Sequence, residues 1–200
     1  MKKPKLRELK EAIRALVRGP YTTRFPAEVR PVPDTFRGQA EFHEKDCIGC
    51  KACAEVCPAD AITVVDLPEA DPPVRRLEIM IDRCIWCGHC EANCTTKKGV
   101  MLGQKYDRST LDRSELRERV EKELVLCEGC GKVIGCRDHL KWIADRIGAK
   151  SYANPTLFLV AEQSLAGSYP RVGGGPGRAD IIRILCTECR RSTLTREVWG

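Results

Sequence analysis

The first regular pattern along the chain is helical. Leu6, Leu9, Ile13, Leu16 and Val17 form one apolar stripe, with Lys5, Arg7, Lys10, Arg14 and Arg18 around it. Gly19-Pro20 ends this amphipathic helix. Pro26, Pro31 and Pro33 follow within eight residues and predict an extended arm. Two short alternating runs, 61–65 and 77–81, predict a β-hairpin. The loop between them carries Pro68, Pro72 and Pro73. Further on, Asp112 with Glu115 reads as a capping box, and Leu116, Val120 and Leu124 give the stripe of a charged helix. Leu140, Trp142, Ile143 and Ile147 suggest another helix. Residues 156–160 and 181–185 read as strands, and the Gly/Pro-rich segment 169–178 as a flexible loop.

Cysteine changes this picture more than any apolar residue does. The chain holds thirteen in 200 residues, while aromatic residues are 6% and apolar residues 42%. The odd number argues against a framework of disulfides alone. The start, Met-Lys-Lys-Pro-Lys, has no apolar signal core, so export is not expected. Dense cysteine in a reducing compartment points to metal, which then supplies part of the stability that so modest a core lacks. No run approaches the roughly 18 apolar residues of a spanning helix.

Eight of the cysteines form an internal repeat. Cys47, Cys50, Cys53 and Cys57 recur as Cys84, Cys87, Cys90 and Cys94, at a constant shift of 37 residues. The text Cys47-Ile-Gly-Cys50-Lys-Ala-Cys53-Ala-Glu-Val-Cys57-Pro58 has the spacing of a bacterial iron–sulfur run. Three closely spaced thiolates wrap one corner of a cubane. The fourth leaves on a short helix and ligates the other cluster. Cys47, Cys50, Cys53 and Cys94 are therefore assigned to one [4Fe–4S] centre, and Cys84, Cys87, Cys90 and Cys57 to a second. Two zinc knuckles are the alternative that the doubled pattern argues against. The second run departs in one place: Thr95 stands where Pro is usual, which alters the local turn and hydrogen bonding. His89 reads as a partly exposed loop residue inside the motif, with a charge that tunes the cluster potential or senses pH as the alternative. Trp86 reads either as a shield for the cluster or as ordinary packing.

A second set follows: Cys127-Glu-Gly-Cys130 and Cys186-Thr-Glu-Cys189. Two such reverse turns set face to face make a tetrahedral site, so Cys127, Cys130, Cys186 and Cys189 are read as ligands of structural zinc. A third iron–sulfur cluster or free thiols are the alternatives. The 55 intervening residues exceed the usual ribbon gap of about 15–20 and are read as an insertion. Cys136 is left over, read as a buried free thiol with replacement of one ligand as the alternative, and His139 is read as a surface residue opening a helix with a further ligand as the alternative.

Charge sorts with these segments. Residues 1–30 hold nine Lys/Arg against three Glu, whereas 41–98 hold seven basic and eleven acidic groups. The total of +6 counts every cysteine as neutral. Three four-thiolate centres of about −2 each would bring it to roughly zero. An acidic cluster segment repels phosphate, and the basic tail at Arg190, Arg191 and Arg196 has no aromatic interleaving, so nucleic acid is not an expected partner. The Gly173–Gly177 run lacks the strand–turn–helix context of a phosphate loop. With no nucleophile–base pair either, the chain reads as an electron relay that is not itself catalytic.

Two segments carry a resemblance. Pro33-Asp34-Thr35-Phe36-Arg37-Gly38, just before the first cysteine run, resembles the corresponding segment of the I-type subunit of respiratory Complex I. With the amphipathic start, that resemblance covers about residues 1–106. The tail Cys186-Thr-Glu-Cys189-Arg190-Arg191 is similar to the iron–sulfur subunit of formate hydrogenlyase and related membrane-bound [NiFe] hydrogenases, and extends the match over most of the chain. The segment 131–185 is less clearly matched. The resemblance implies a subunit joining a membrane arm to an electron-transfer arm. It would relay electrons from a donor module to a small subunit that carries the last cluster. It also implies a peripheral place on the cytoplasmic side of the inner membrane, with the helix and arm against the membrane subunit.

The expected fold class is therefore α+β: a 2[4Fe–4S] ferredoxin-like domain with an N-terminal amphipathic helix and arm, plus a C-terminal zinc-ribbon-like domain. The expected boundaries are 1–40 for helix and docking arm, 41–106 for the ferredoxin-like domain, 107–126 for a helical connector and 127–200 for the zinc-ribbon-like domain. A free ferredoxin-like carrier is the nearest alternative function, and a zinc-dependent nucleic-acid-binding or assembly factor a more distant one.

Overall fold

A computed structural model of the chain describes residues 5–19, 22, 24–166 and 183–199. Residues 1–36 and 37–200 form two separate compact units. In the first, helix α1 spans Leu6–Arg18 and opens on a capping box in which the Lys5 N–H donates to Glu8 Oε2 (3.0 Å). No residue of α1 is buried, and Leu6, Leu16 and Val17 are each at least 80% exposed. No helix among the described residues is long and apolar enough to cross a membrane.

The second unit holds two antiparallel sheets. Strands β1 (Ala40–Phe42) and β4 (Val100–Leu102) pair as one ribbon. Strands β2 (Ile62–Leu67), β3 (Val74–Met80), β5 (Arg117–Leu126) and β6 (Val133–Cys136) form the other, in that order. Short helices α2 (Ala52–Glu55) and α3 (His89–Ala92) each follow a cysteine run. Helices α4 (Arg137–Ile147), α5 (Pro155–Ala166) and α6 (Thr187–Trp199) complete the chain. One core cluster joins Ile62, Leu77, Ile79, Val100 and Val120 to Cys47, Cys53, Cys90 and Cys94. A smaller one joins Val125, Leu159, Val160 and Ile184.

The β2–β3 hairpin forms because its inward positions alternate, as a half-buried strand requires. Arg75, Leu77 and Ile79 of β3 are all buried. A buried arginine needs a partner, and the register supplies one: Asp66 of β2 lies directly across from it. Arg75 Nε and Nη2 donate to the Asp66 carboxylate at 2.5 and 2.9 Å, and Nη1 donates to the Gly49 carbonyl at 2.9 Å. The hairpin is thus bolted to the first cysteine loop. On the outer face Arg76 pairs with Glu121, and Glu78 with Arg117 and Arg119.

The segment expected as a helical connector is strand β5. Leu116, Val120 and Leu124 are four apart, a spacing that puts them on one side of a helix and equally on one face of a strand. Between them Lys122 takes an inward position and hides the alternation. Its ammonium donates to the Glu44 carbonyl and pairs with Asp138 at 3.2 Å. The apparent capping signal is real, but it caps a single 3₁₀ turn, Arg113–Glu115, where Asp112 accepts the Ser114 N–H at 2.8 Å. Because β5 pairs with both β3 and β6, the sheet runs unbroken through the boundaries expected at 107 and 127.

Residues 156–160, expected as a strand, lie in α5. Asn154 Oδ1 accepts the N–H groups of Thr156 and Leu157, and Pro155 occupies the first helical position. Of the strand expected at 181–185, residues 183–185 are outside any ladder and 181–182 lie outside the described residues. So does the loop expected at 169–178. Gly38 lies where two backbones nearly touch: a Cβ there would sit 2.6 Å from the carbonyl oxygens of both Gly103 and Lys105.

Asp66 is held below the usual carboxylate range, chiefly by its hydrogen bonds from Arg75, against the opposing effect of burial. Its contribution to stability is complete above its unfolded pKa of about 3.9 and is lost as the pH falls through the lowered folded value. Asp66→Asn leaves Arg75 buried and unbalanced at every pH. Denaturant unfolding of the anaerobic holoprotein at pH 7 is expected to show a loss of about 3 kcal/mol, and an unchanged midpoint would contradict it.

Candidate metal centres

The 37-residue repeat of the sequence is also a repeat of backbone. Gly49, Lys51 and Asp60 have positive φ in the first half, and Trp86, Gly88 and Lys97 have it at the same three positions in the second. Helices α2 and α3 occupy matching positions as well. Four of these six left-handed residues are not glycine, and each costs roughly 1–3 kcal/mol. A conformation so costly recurs because it serves the loop: it turns backbone N–H groups toward sulfur.

The four cysteines of each set line a common pocket. Cys47, Cys50, Cys53 and Cys94 line one together with Phe42, Leu77 and Val100. Cys57, Cys84, Cys87 and Cys90 line a second together with Ile62, Ile79, Trp86 and Leu102. Each run thus gives three cysteines to one cavity and its fourth to the other. Cys53 lies on α2 and Cys57 just beyond it. Only four positions along the chain separate sulfurs that serve different pockets.

The chemistry of these donors calls for a cation. Burial, and then the charges of neighbouring cysteines, push the Cys53 thiol up to about 12. Burial, opposed by the Glu91 backbone and aided by Cys84 and Cys87, pushes Cys90 up to about 11. Thiols held up like these two do not ionise unless positive charge sits among them. An iron–sulfur core fits both cavities on that ground.

The third set is arranged differently from the expected pair of facing turns. Cys127 and Cys130 sit in the turn between β5 and β6, whereas Cys186 and Cys189 sit at the start of α6. The four Sγ atoms lie within 4.8 Å of one another, with Cys130 and Cys186 at 3.7 Å. Zinc–sulfur bonds of 2.3 Å place tetrahedral sulfurs about 3.8 Å apart, so the set fits that ion. Burial opposes ionisation of Cys127, but N–H groups of Cys186, Cys130 and Gly129 outweigh it and lower the thiol to about 6. Cys189 is pushed up to about 12, first by Cys130 and Cys186. A Cβ on Gly129 would lie 3.2 Å from Cys189 Sγ, so a side chain there would press on that sulfur.

Cys136 belongs to none of the three sets. It is fully buried, its Sγ donates to the Gly49 carbonyl at 3.5 Å, and burial pushes it up to about 11. His139, expected at the surface, is half-buried on α4 with its ring 6.5 Å from Trp142; burial, then Arg75, lowers its pKa. His89 opens α3 and, with Trp86, lines the second cavity.

Comparison with known proteins agrees with this geometry. The 4Fe-4S dicluster domain family matches residues 46–98. NADH-quinone oxidoreductase subunit I 2 of Geobacter metallireducens is 33% identical over 108 residues, spanning 50% of this chain and 82% of that protein. The chain belongs to the subunit I family of NADH-quinone oxidoreductase. A second subunit I, the NAD(P)H-quinone oxidoreductase protein of Gloeobacter violaceus, is 35% identical over 104 residues. The chain spans about half of that relative's length, 48%. Among solved structures, a chain of the membrane-bound sulfane sulfur reductase, an archaeal respiratory membrane complex, matches at 28% identity. Its TM-score is 0.41, over 58% of this chain and 61% of that one. The match to the dicluster domain ends before Cys127, so the third cysteine set lies outside that part of the subunit I chain.

Gly49 carries the tightest local demand. Its φ is +69°, and a Cβ would stand 2.5 Å from Cys136 Sγ. Gly49→Ala should displace the Cys47–Cys50 loop and halve iron content, from about eight to about four per chain, as read by iron assay after anaerobic purification. Full iron content would contradict this.

Proposed function

We propose that this subunit I protein is an electron-transfer subunit of a membrane-associated, multisubunit oxidoreductase. The observation that carries the reading is the exchange of the fourth cysteine between two pockets, each lined by four cysteines. Cys47, Cys50, Cys53 and Cys94 hold one [4Fe–4S] cluster, and Cys84, Cys87, Cys90 and Cys57 the other. Such clusters carry single electrons, and the chain's part is to fix them close together and keep water from them. Cys127, Cys130, Cys186 and Cys189 hold structural zinc, which ties α6 to the end of the sheet.

The partners in this reading are a donor module, a small subunit with the last cluster, and a membrane subunit. The complex is of the Complex I type or of the related formate hydrogenlyase and [NiFe] hydrogenase type. The protein lies peripherally on the cytoplasmic face of the inner membrane. The exposed stripe of α1 supports this reading: Leu6, Leu9, Ile13, Leu16 and Val17 all stand more than half exposed, a surface suited to protein contacts with anionic headgroups beside its basic residues. Residues 1–36, rather than the expected 1–40, form the docking arm, because residues 37–40 belong to the second unit.

Three measurements test the reading. The dithionite-reduced protein should give two interacting [4Fe–4S] signals by low-temperature EPR and about one zinc per chain by metal analysis. Zinc without iron would sink the reading. Leu9→Glu with Ile13→Glu should release the protein from membranes while leaving those signals unchanged. Retention of this variant would contradict the docking role given to α1, and a wild-type protein that is soluble and alone in the cell would instead favour a free carrier.

A further inference from the structure

The two halves of the repeat differ in one chemically pointed way. After its fourth cysteine the first half reads Cys57-Pro58-Ala59, and the second reads Cys94-Thr95-Thr96. At the 37-residue shift, two hydroxyls therefore stand where the other half has a ring and a methyl group. Both hydroxyls reach sulfur of the same centre. Thr95 Oγ1 lies 3.1 Å from Cys50 Sγ, and Thr96 Oγ1 lies 3.4 Å from Cys94 Sγ. The direction of each bond follows from chemistry, since a thiolate bound to iron has no proton and can only accept. Thr96 is set up for this, because its oxygen already accepts the Gly99 N–H at 3.0 Å and its own proton is free to point at Cys94.

Among the described residues, no hydroxyl is bonded to a sulfur of the second centre. Pro58 and Ala59 line its cavity, and its sulfurs face backbone donors: the Ala61 N–H to Cys57 at 3.3 Å, and the backbone at Trp86 and Glu91 toward Cys84 and Cys90. Buried cations do not account for the difference. Arg75 and Lys122 lie on the side of the first centre, but each is matched by a carboxylate, Asp66 and Asp138. Lys51 lines the first cavity, yet it is 38% exposed and also pairs with Asp66, so solvent screens it.

A donor to a cluster thiolate stabilises the form with more negative charge. Reduction adds one electron and breaks no bond, taking a four-thiolate cluster from about −2 to about −3. Hydrogen bonds to sulfur are among the factors that set such potentials. We propose that Thr95 and Thr96 set the order of the two potentials. Their hydroxyls hold the centre of Cys47, Cys50, Cys53 and Cys94 above that of Cys84, Cys87, Cys90 and Cys57. A single electron entering the pair from a low-potential donor settles on the first centre. This rests on the cluster assignment made under the proposed function.

The test is a dithionite titration of the anaerobic holoprotein followed by EPR, with iron counted in every sample. Thr95→Val keeps the shape and removes the donor. It should lower the higher midpoint and leave the lower one unmoved, with about a tenfold fall in the electron-exchange constant, or about 59 mV for one electron. Thr95→Ser should restore the wild-type value. Ala59→Thr, at the position matching Thr96, should raise the lower midpoint alone. An unmoved higher midpoint in Thr95→Val, or an equal shift of both, overturns the proposal while leaving the relay reading standing. Fewer than two clusters in the wild-type protein overturns the cluster assignment itself, and the proposal with it.

Discussion

Sulfur buried in an apolar interior is the constraint on which the rest of the structure depends. Cys47, Cys53, Cys90 and Cys94 sit in the main core among Leu77, Ile79 and Val100. In other proteins such positions belong to branched aliphatic residues that hold the core by packing alone. Here burial pushes thiols such as Cys53 and Cys90 well above their ordinary range. The core gains its full cohesion only when positive charge draws the protons off. Metal binding and folding are then one event, which explains how a chain with so few aromatic residues holds two cysteine loops in left-handed turns.

Around that core, polar groups do the fastening. Arg75 joins three pieces: its own strand, Asp66 across the hairpin and the Gly49 carbonyl of the first loop. Lys122 does the same from β5, reaching Glu44 and Asp138. Cys136, at the end of β6, donates to that same Gly49 carbonyl. One loop is therefore gripped from β3 and from β6, and the sheet that grips it continues directly into the turn of Cys127 and Cys130. The third cysteine set is not a separate appendage. It terminates the sheet that positions the first centre.

Much of this was legible in the sequence, for reasons that differ by element. The two four-cysteine pockets follow from spacing, because a shift of 37 residues repeats the left-handed turns as well as the cysteines. The hairpin of β2 and β3 follows from alternation. Strand β5 was misread as a helix because residues four apart share a face in both structures, and because an inward lysine broke the apolar alternation. Helix α5 was misread as a strand although Asn154-Pro155 carried a usable start signal. The membership of the third set was legible from its two Cys-x-x-Cys pairs. Its geometry was not, since α6 has no apolar stripe to announce a helix under Cys189. The hydroxyl contacts of Thr95 and Thr96 were visible only as a missing proline.

The central claim is that the two centres exchange their fourth ligands, so that each is held by both halves of the repeat. EPR of three reduced holoproteins tests it most directly: Cys50→Ser, Cys57→Ser and Cys94→Ser. Exchange predicts that Cys50→Ser and Cys94→Ser alter the same one of the two cluster signals, and that Cys57→Ser alters the other. If Cys57→Ser and Cys50→Ser instead alter one signal and Cys94→Ser the second, each run closes on its own cluster and the account is wrong.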